Sequence, residues 1–333
     1  MHVVETRDLT KTYMSYKKTE GLGGSLRGMF RREFIEKTAL LETNLQFSRG
    51  QLIGLVGANG AGKTTLIKLL SGLVHPSSGA VRVLGYEPWR RSYEFLRRMS
   101  VLLGQKNQLW WDISALDSFL LLNEIYSLEK AKTLDRVEEL ANLLNCQHVL
   151  RVQLRRLSLG ERMKMELIGA LLHQPEILFL DEPTIGLDIV AQTSIRDFLK
   201  AYMKTHNPTI LLTSHYMDDI AKLADRLLLM THGQIVYDGS VRDFVQKSSP
   251  LQKLSFSFPN PLTQSWTVLE HKLAIGQQEF HLSIEQAQVA SILPKVLALP
   301  NVQNIQLNEA DFEESIRQFL QAEPSVCKTS RTN

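Results

Sequence analysis

Two stretches of this 333-residue chain have the make-up of phosphate-binding helix starts: GANGAGKTTL (57–66) and LSLGERMKME (157–166). The first amides of a helix have no intrahelical acceptor and sit at the positive end of its dipole, so they attract anions. The first stretch fits the spacing G-x-x-x-x-G-K-[ST]. In that pattern the backbone of Gly57, Ala58, Asn59, Gly60, Ala61 and Gly62 wraps phosphate oxygens. Lys63 reaches the outer phosphates, the Thr64 hydroxyl suits Mg²⁺, and Thr65 completes the phosphate-binding stretch. A third stretch, EILFLDEP, sets Asp181 and Glu182 directly after an apolar run. At the carboxyl end of a parallel strand, ligands of open α/β sheets bind. There Asp181 suits Mg²⁺, and Glu182 suits general-base work on an attacking water.

These residues need strands and helices in alternation to hold them. Gln51–Val56 reads as a buried strand running into the glycine loop, and Gly62 to about Leu70 as the following helix. Short strands are expected at 2–9, 42–47, 80–84, 100–104, 177–180 and 209–213, and helices at 188–205 and 216–223. From Ser114 to His173 the pattern is helical with no good strand. Residues 225–239 read as a hairpin turning at His232–Gly233. Alternating elements of this kind imply a largely parallel, covered sheet. QKSSP (246–250) reads as a linker. Beyond it KLSFSF and EFHLSI alternate like half-buried strands, and VQNIQL adds another. The segment 285–299 is helical with Pro294 expected to kink or divide it. DFEESIRQFL puts Phe312, Ile316, Phe319 and Leu320 on one helical face.

The bulk composition excludes several classes. With 44% hydrophobic and 22% charged residues the chain has the balance of a soluble globular protein. A formal charge of +3 is too small to argue for a nucleic-acid partner, and none is expected. Cys146 and Cys327 have no metal-ligand spacing, so two free thiols in a reducing compartment are expected. The N-terminus lacks a secretory pattern, and no apolar run approaches the ~18 residues of a membrane span. A membrane process would need another chain for its membrane part.

Taken together and in order, these motifs resemble the nucleotide-binding subunit of an ABC transporter over roughly residues 1–245. GANGAGKTT is similar to the Walker A motif and ILFLDEP to Walker B. Gln105 in LLGQKNQ matches the Q-loop glutamine, which in the family touches Mg²⁺ and senses the membrane partner. LSLGE, with Ser158, Leu159, Gly160 and Glu161, matches the signature motif, GLD with Asp188 the D-loop, and His215 in TSHYMDD the switch histidine. Tyr13 in LTKTY matches the aromatic that stacks on adenine. Tyr16 is a rival, and a plain core or surface tyrosine is the alternative.

The resemblance implies an α/β P-loop NTPase domain over 1–245 with a helical subdomain at about 106–174 and a basic insert at 14–38. A small α+β domain at 250–321 and a disordered tail at 322–333 complete the expectation. It also explains the two phosphate-binding helix starts. In the family two such domains pack head to tail, and the signature helix of one covers the ATP held by the Walker A loop of the other. ATP and Mg²⁺ are the implied cofactors. The implied partners are a membrane permease and either a second copy of this chain or a related ATPase, at the cytoplasmic face of the inner membrane. The sequence departs from the usual LSGGQ at Leu159, which restricts the backbone, and at Glu161, which adds negative charge near the phosphates.

LSLGERMKMELIGALLHQPEILFLDEPTIGLD looks like the type-two export class, in a branch that includes exporters of drugs and organic cations. The insert, with six Lys/Arg against three Glu, is typical of that branch. It fits either anionic lipid, the permease, or simple solvation. Trp110, Trp111 and Phe119 are candidate permease contacts or core. Competing readings are a ribosome- or DNA-associated ABC ATPase and an importer ATPase. A single Walker A and the lack of a coiled-coil or zinc insert weigh against the former.

Overall fold

Five of the six residues Leu52–Gly57 are buried, a pattern for a strand covered on both faces, and this strand is interior to a six-stranded sheet. The computed structural model describes residues 2–16, 34–104, 106–248, 251–261, 266–268, 271–273, 276–308 and 312–322. Gln105, most of the basic insert (17–33), and the tail from 323, Cys327 included, lie outside the described residues. The chain divides into two compact units, Met1–Gly239 and Ser240–Asn333.

In the first unit, β1 (His2–Tyr16) pairs antiparallel with β2 (Phe34–Thr43), β3 (Gln46–Ser48) and β5 (Ser78–Val83). The edges of the basic insert are therefore strand, since Met14 pairs with Glu36 and Tyr16 with Phe34. The strand expected at 42–47 is broken between Thr43 and Gln46. The second sheet runs β10-β9-β4-β8-β7-β6. Its strands are β4 (Leu52–Gly57), β6 (Met99–Leu103), β7 (Ile177–Asp181), β8 (Thr209–Thr213), β9 (Arg226–Thr231) and β10 (Gln234–Ser240). The pairs β4/β8, β4/β9, β6/β7 and β7/β8 are parallel. His232 and Gly233 join β9 to β10 with φ of 47° and 81°, the left-handed pair that a two-residue hairpin turn requires.

The first unit's helices are α1 (Lys63–Leu70), α2 (Tyr93–Leu96), α3 (Ala115–Tyr126), α4 (Lys130–Leu143), α5 (Leu159–Leu171), α6 (Ile189–His206) and α7 (Met217–Leu223). Among the described residues no strand lies between β6 and β7, which are joined by helices, turns and one isolated bridge between Ser114 and Gln153. Phe47, Leu55, Leu66, Leu70, Val83 and Phe179 belong to one buried cluster, so both sheets and α1 share a core. Cys146 is a free, fully buried thiol whose pKa burial pushes up to about 11, which makes it inert at neutral pH. No described helix is long and apolar enough to cross a membrane.

The second unit opens with α8 (Val241–Ser248), which occupies part of the stretch expected as a linker. Phe244 of α8 meets Phe312 and Phe319, whose spacing puts them on one face of a helix. A sheet follows in the order β14-β11-β15, made of β11 (Leu251–Ser257), β14 (Glu279–Glu285) and β15 (Gln303–Asn308), beside a hairpin of β12 (Trp266–Val268) and β13 (His271–Leu273). Leu254, Phe256, Phe280 and Leu282 cover one face of the sheet and pack on Ile292 and Val296 of α9 (Gln286–Leu297). Pro294 does not divide the helix: α9 runs through it. Ile292 and Val296 flank Pro294 and are buried, so packing outweighs the one amide bond the proline removes. The last element is α10 (Phe312–Ala322).

Candidate functional site

The glycine loop begins where β4 ends. A Cβ on Gly57 would lie 2.1 Å from the carbonyl oxygen of Met230 in β9, so only glycine lets the loop leave the sheet there. Gly62 has φ +112°, and a Cβ on it would lie 2.5 Å from the Ala39 carbonyl oxygen. The loop closes on itself through Ala61 N–H to Ala58 O, 3.0 Å, and is tied to the hairpin turn by Gly233 N–H to Ala61 O, 2.8 Å. Lys63 is 6% exposed, and its Nζ donates to the carbonyls of Gly57 (2.7 Å) and Ala58 (3.2 Å). Burial lowers its pKa, while the nearby carboxylates of Glu182 and Asp181 push the other way. A partly desolvated ammonium above a cradle of amides is suited to an oligophosphate.

The acidic pair sits two strands away. β8 lies between β4 and β7, so the ends of these three parallel strands deliver the glycine loop, His215 and Asp181–Glu182 to one edge. Asp181 is 7% exposed and accepts from Thr64 Oγ1 (2.8 Å) and Thr213 Oγ1 (2.7 Å). Glu182 Oε1 lies 2.9 Å from His215 Nε2. Glu182 holds φ +56°, a left-handed conformation that costs a non-glycine residue about 1–3 kcal/mol. The Glu182 amide, bonded to the Thr213 carbonyl (3.1 Å) and hydroxyl (3.0 Å), helps to hold it. Such strain aims the carboxylate off the strand toward His215. Gly104, just past β6, approaches from the other side; its amide donates to Asp181 O at 2.8 Å, and a Cβ there would lie 2.3 Å from Glu182 O.

A second group forms around the start of α5. Ser158 caps the helix in a reciprocal box: Glu161 N–H donates to Ser158 Oγ (3.3 Å), and Glu161 Oε2 accepts from Ser158 N (2.9 Å) and Ser158 Oγ (2.8 Å). The added charge of Glu161 is thus taken up by its own cap. Leu159 is the first residue of α5 and is not left-handed, so the backbone there has no need of a glycine. Its side chain would meet a Cβ on Gly186 at 3.3 Å, and a Cβ on Gly160 would meet Ala191 at 2.9 Å. The start of α5 therefore packs on the loop and first turn of α6, where Asp188 caps by accepting from Ala191 N–H at 2.8 Å.

Tyr13 is 37% exposed, with the Lys11 ammonium 5.1 Å from its ring centre. It pairs with Lys37 of β2, two residues from the Ala39 carbonyl that a Cβ on Gly62 would meet. The side chain of Tyr16 and all of Gln105 lie outside the described residues. Phe119 is fully buried, which assigns it to the core; Trp110 and Trp111 are 41% and 42% exposed, with the Arg162 guanidinium 5.1 Å from the Trp111 ring. Sequence reasoning missed Thr213, Gly104, Thr184, Ser214 and Asp219. Their signal was position alone, each lying within a few residues of a motif that had been read.

The family model for ABC transporters matches residues 40–185. The chain is 30% identical over 234 residues to the bacitracin transport ATP-binding protein BcrA of Bacillus licheniformis, covering 70% of this chain and 68% of that one. It is 32% identical over 215 residues to the Nod factor export ATP-binding protein I of Cupriavidus pinatubonensis, covering 65% and 66%. Among solved structures, a dimeric post-hydrolysis ATP-binding cassette bound to ADP and phosphate matches with a TM-score of 0.58 at 20% identity, over 71% of this chain and 98% of that one. At that identity the likeness speaks for the fold.

Proposed function

This chain belongs to the ABC transporter ATP-binding proteins, the ATP-hydrolysing subunits of membrane transporters, and we propose that it powers an exporter by closing around ATP with a second copy of itself. Support for export comes from the type-two resemblance and from relatives named for bacitracin transport and Nod factor export. Its permease is a separate chain, and its place of work is the cytoplasmic face of the membrane, peripherally.

The residues divide the work as follows. Lys63 and the amides from Gly57 to Thr65 bind the phosphates, and Tyr13 stacks on the base. Thr64 and Asp181 offer a hydroxyl and a carboxylate already 2.8 Å apart, a hard-oxygen set that fits Mg²⁺ with its remaining positions left to phosphate and water. Gln105 is assigned to the same ion. When bound, Mg²⁺ neutralises charge that builds on the phosphates. Glu182 takes the proton from the attacking water, and His215 orients the carboxylate and the γ phosphate. Ser158, with the Gly160 amide, faces the nucleotide of the other copy, and Leu159, Glu161 and Asp188 frame that contact.

The observation that carries this reading is the Glu182–His215 contact of 2.9 Å beside the Thr64–Asp181 bond. Steady-state hydrolysis by the purified chain tests it. ATP turnover should require Mg²⁺, and Glu182→Gln should lower kcat on the order of a hundredfold or more with ATP binding retained. Undiminished turnover in that variant would refute the assigned base.

A further inference from the structure

Asp219, in the first turn of α7, is 1% exposed, yet none of the roles above uses it. Its Oδ2 accepts two hydroxyl bonds, from Thr184 Oγ1 at 2.6 Å and from Ser214 Oγ at 2.7 Å. The donors are also buried, at 3% each. Thr184 lies two residues after Glu182, and Ser214 lies one residue before His215. One carboxylate oxygen therefore joins the two loops that carry the hydrolytic pair.

The surroundings extend the clasp in both directions. Ser214 Oγ also accepts from Tyr216 N–H at 3.0 Å, so the bonds bracket His215. Thr184 O accepts from Leu187 N–H at 3.2 Å, on the way to Asp188. The other carboxylate oxygen, Oδ1, has no hydrogen bond, but Arg196 Nη1 of α6 lies 3.5 Å away. A buried carboxylate is costly, and an apolar replacement of similar size often folds as well. A carboxyl group at this position, with both hydroxyls on one oxygen, serves geometry better than it serves stability.

We propose that Asp219 is a positioning residue for ATP hydrolysis. It fixes the Glu182–His215 separation by holding Thr184 and Ser214 on one oxygen, and through Arg196 it links that separation to α6, the helix on which the signature helix packs. The proposal rests on Glu182 and His215 being the hydrolytic pair.

The test is steady-state ATP hydrolysis by the full chain carrying Thr184→Val, Ser214→Ala, both together, or Thr184→Ser, with Glu182→Gln alongside. Thr184→Val and Ser214→Ala should each lower kcat on the order of tenfold, since small misplacements of catalytic groups cost that much or more. KM for ATP should stay within about threefold, because the phosphate cradle is untouched. The double variant should fall little further than the worse single, since both bonds end on one atom. Thr184→Ser restores the hydroxyl and should restore kcat, a rescue that separates positioning from loss of fold. A kcat unchanged by the single substitutions beside an inactive Glu182→Gln would overturn the clasp alone. So would a KM that rises in step with the loss. A Glu182→Gln chain that still turns over would overturn the reading beneath it.

Discussion

His215 Nε2 and Glu182 Oε1 lie 2.9 Å apart, each just past the end of one of two adjacent parallel strands, β8 and β7. Sheet register sets this distance, since Asp181 pairs with Thr213. His215→Ala should therefore lower kcat by about 10- to 100-fold while ATP affinity holds, because the cradle around Lys63 is built on other elements. Comparing kcat with nucleotide titration in the same variant checks it; a matched loss of both would place His215 in binding instead.

Gly104, just past β6, abuts the Glu182 backbone. Gly104→Ala would press a methyl against the Glu182 and Asp181 carbonyl oxygens, at 2.3 and 2.8 Å. Backbone cannot yield as a side-chain tip can, so the strained Glu182 must move. The expected result is a loss of roughly 1–3 kcal/mol in stability, as for overpacked sites, with turnover falling further than stability accounts for. Thermal melts and ATPase rates on one preparation measure both.

The capping box at Ser158 predicts a pH effect. The Ser158 hydroxyl and then its amide hold the Glu161 carboxyl below its usual pKa. A depressed carboxylate stabilises the fold above its unfolded pKa, and this contribution is lost as pH falls through the folded one. Wild type should thus lose ground to Glu161→Gln on acidification below about pH 4, where unfolded glutamates take up protons. Paired melting curves at neutral and acid pH test this; a difference that ignores pH would contradict it. Ser158→Ala should cost about 1 kcal/mol, the usual worth of a cap.

Glu166 of α5 is 5% exposed and accepts the Gln108 amide at 3.1 Å from each oxygen and the Leu109 amide at 3.3 Å. Burial raises its pKa while these two amides oppose the shift. Glu166→Ala would leave the buried Leu109 N–H unpaired and take the Gln108 N–H's partner away, so about 1–2 kcal/mol of stability should be lost. Amide exchange should quicken at Gln108 and Leu109, which mass spectrometry of that peptide would register.

The sequence showed the β4 strand, the glycine loop and the apolar run before Asp181, because each is a contiguous signal with its own period. The clasp around Asp219 was not legible, since Thr184, Ser214 and Asp219 come together only when β7 and β8 pair. Glu182's positive φ was hidden for a similar reason: propensity argues against it, and Thr213 helps to hold it. The helical path of 246–248 was misread from Ser and Pro content, whereas Phe244 anchors α8 against aromatic partners the local window cannot contain.

That one domain serves two half-sites is tested most directly by the size of Glu182→Gln in solution. Light scattering after size-exclusion chromatography, with and without Mg²⁺–ATP, should show a monomer that becomes a dimer on adding nucleotide. Adding Ser158→Arg should abolish the dimer while ATP still binds to the Lys63 loop. A Glu182→Gln chain that binds ATP and stays monomeric, or one whose dimer survives Ser158→Arg, would contradict it.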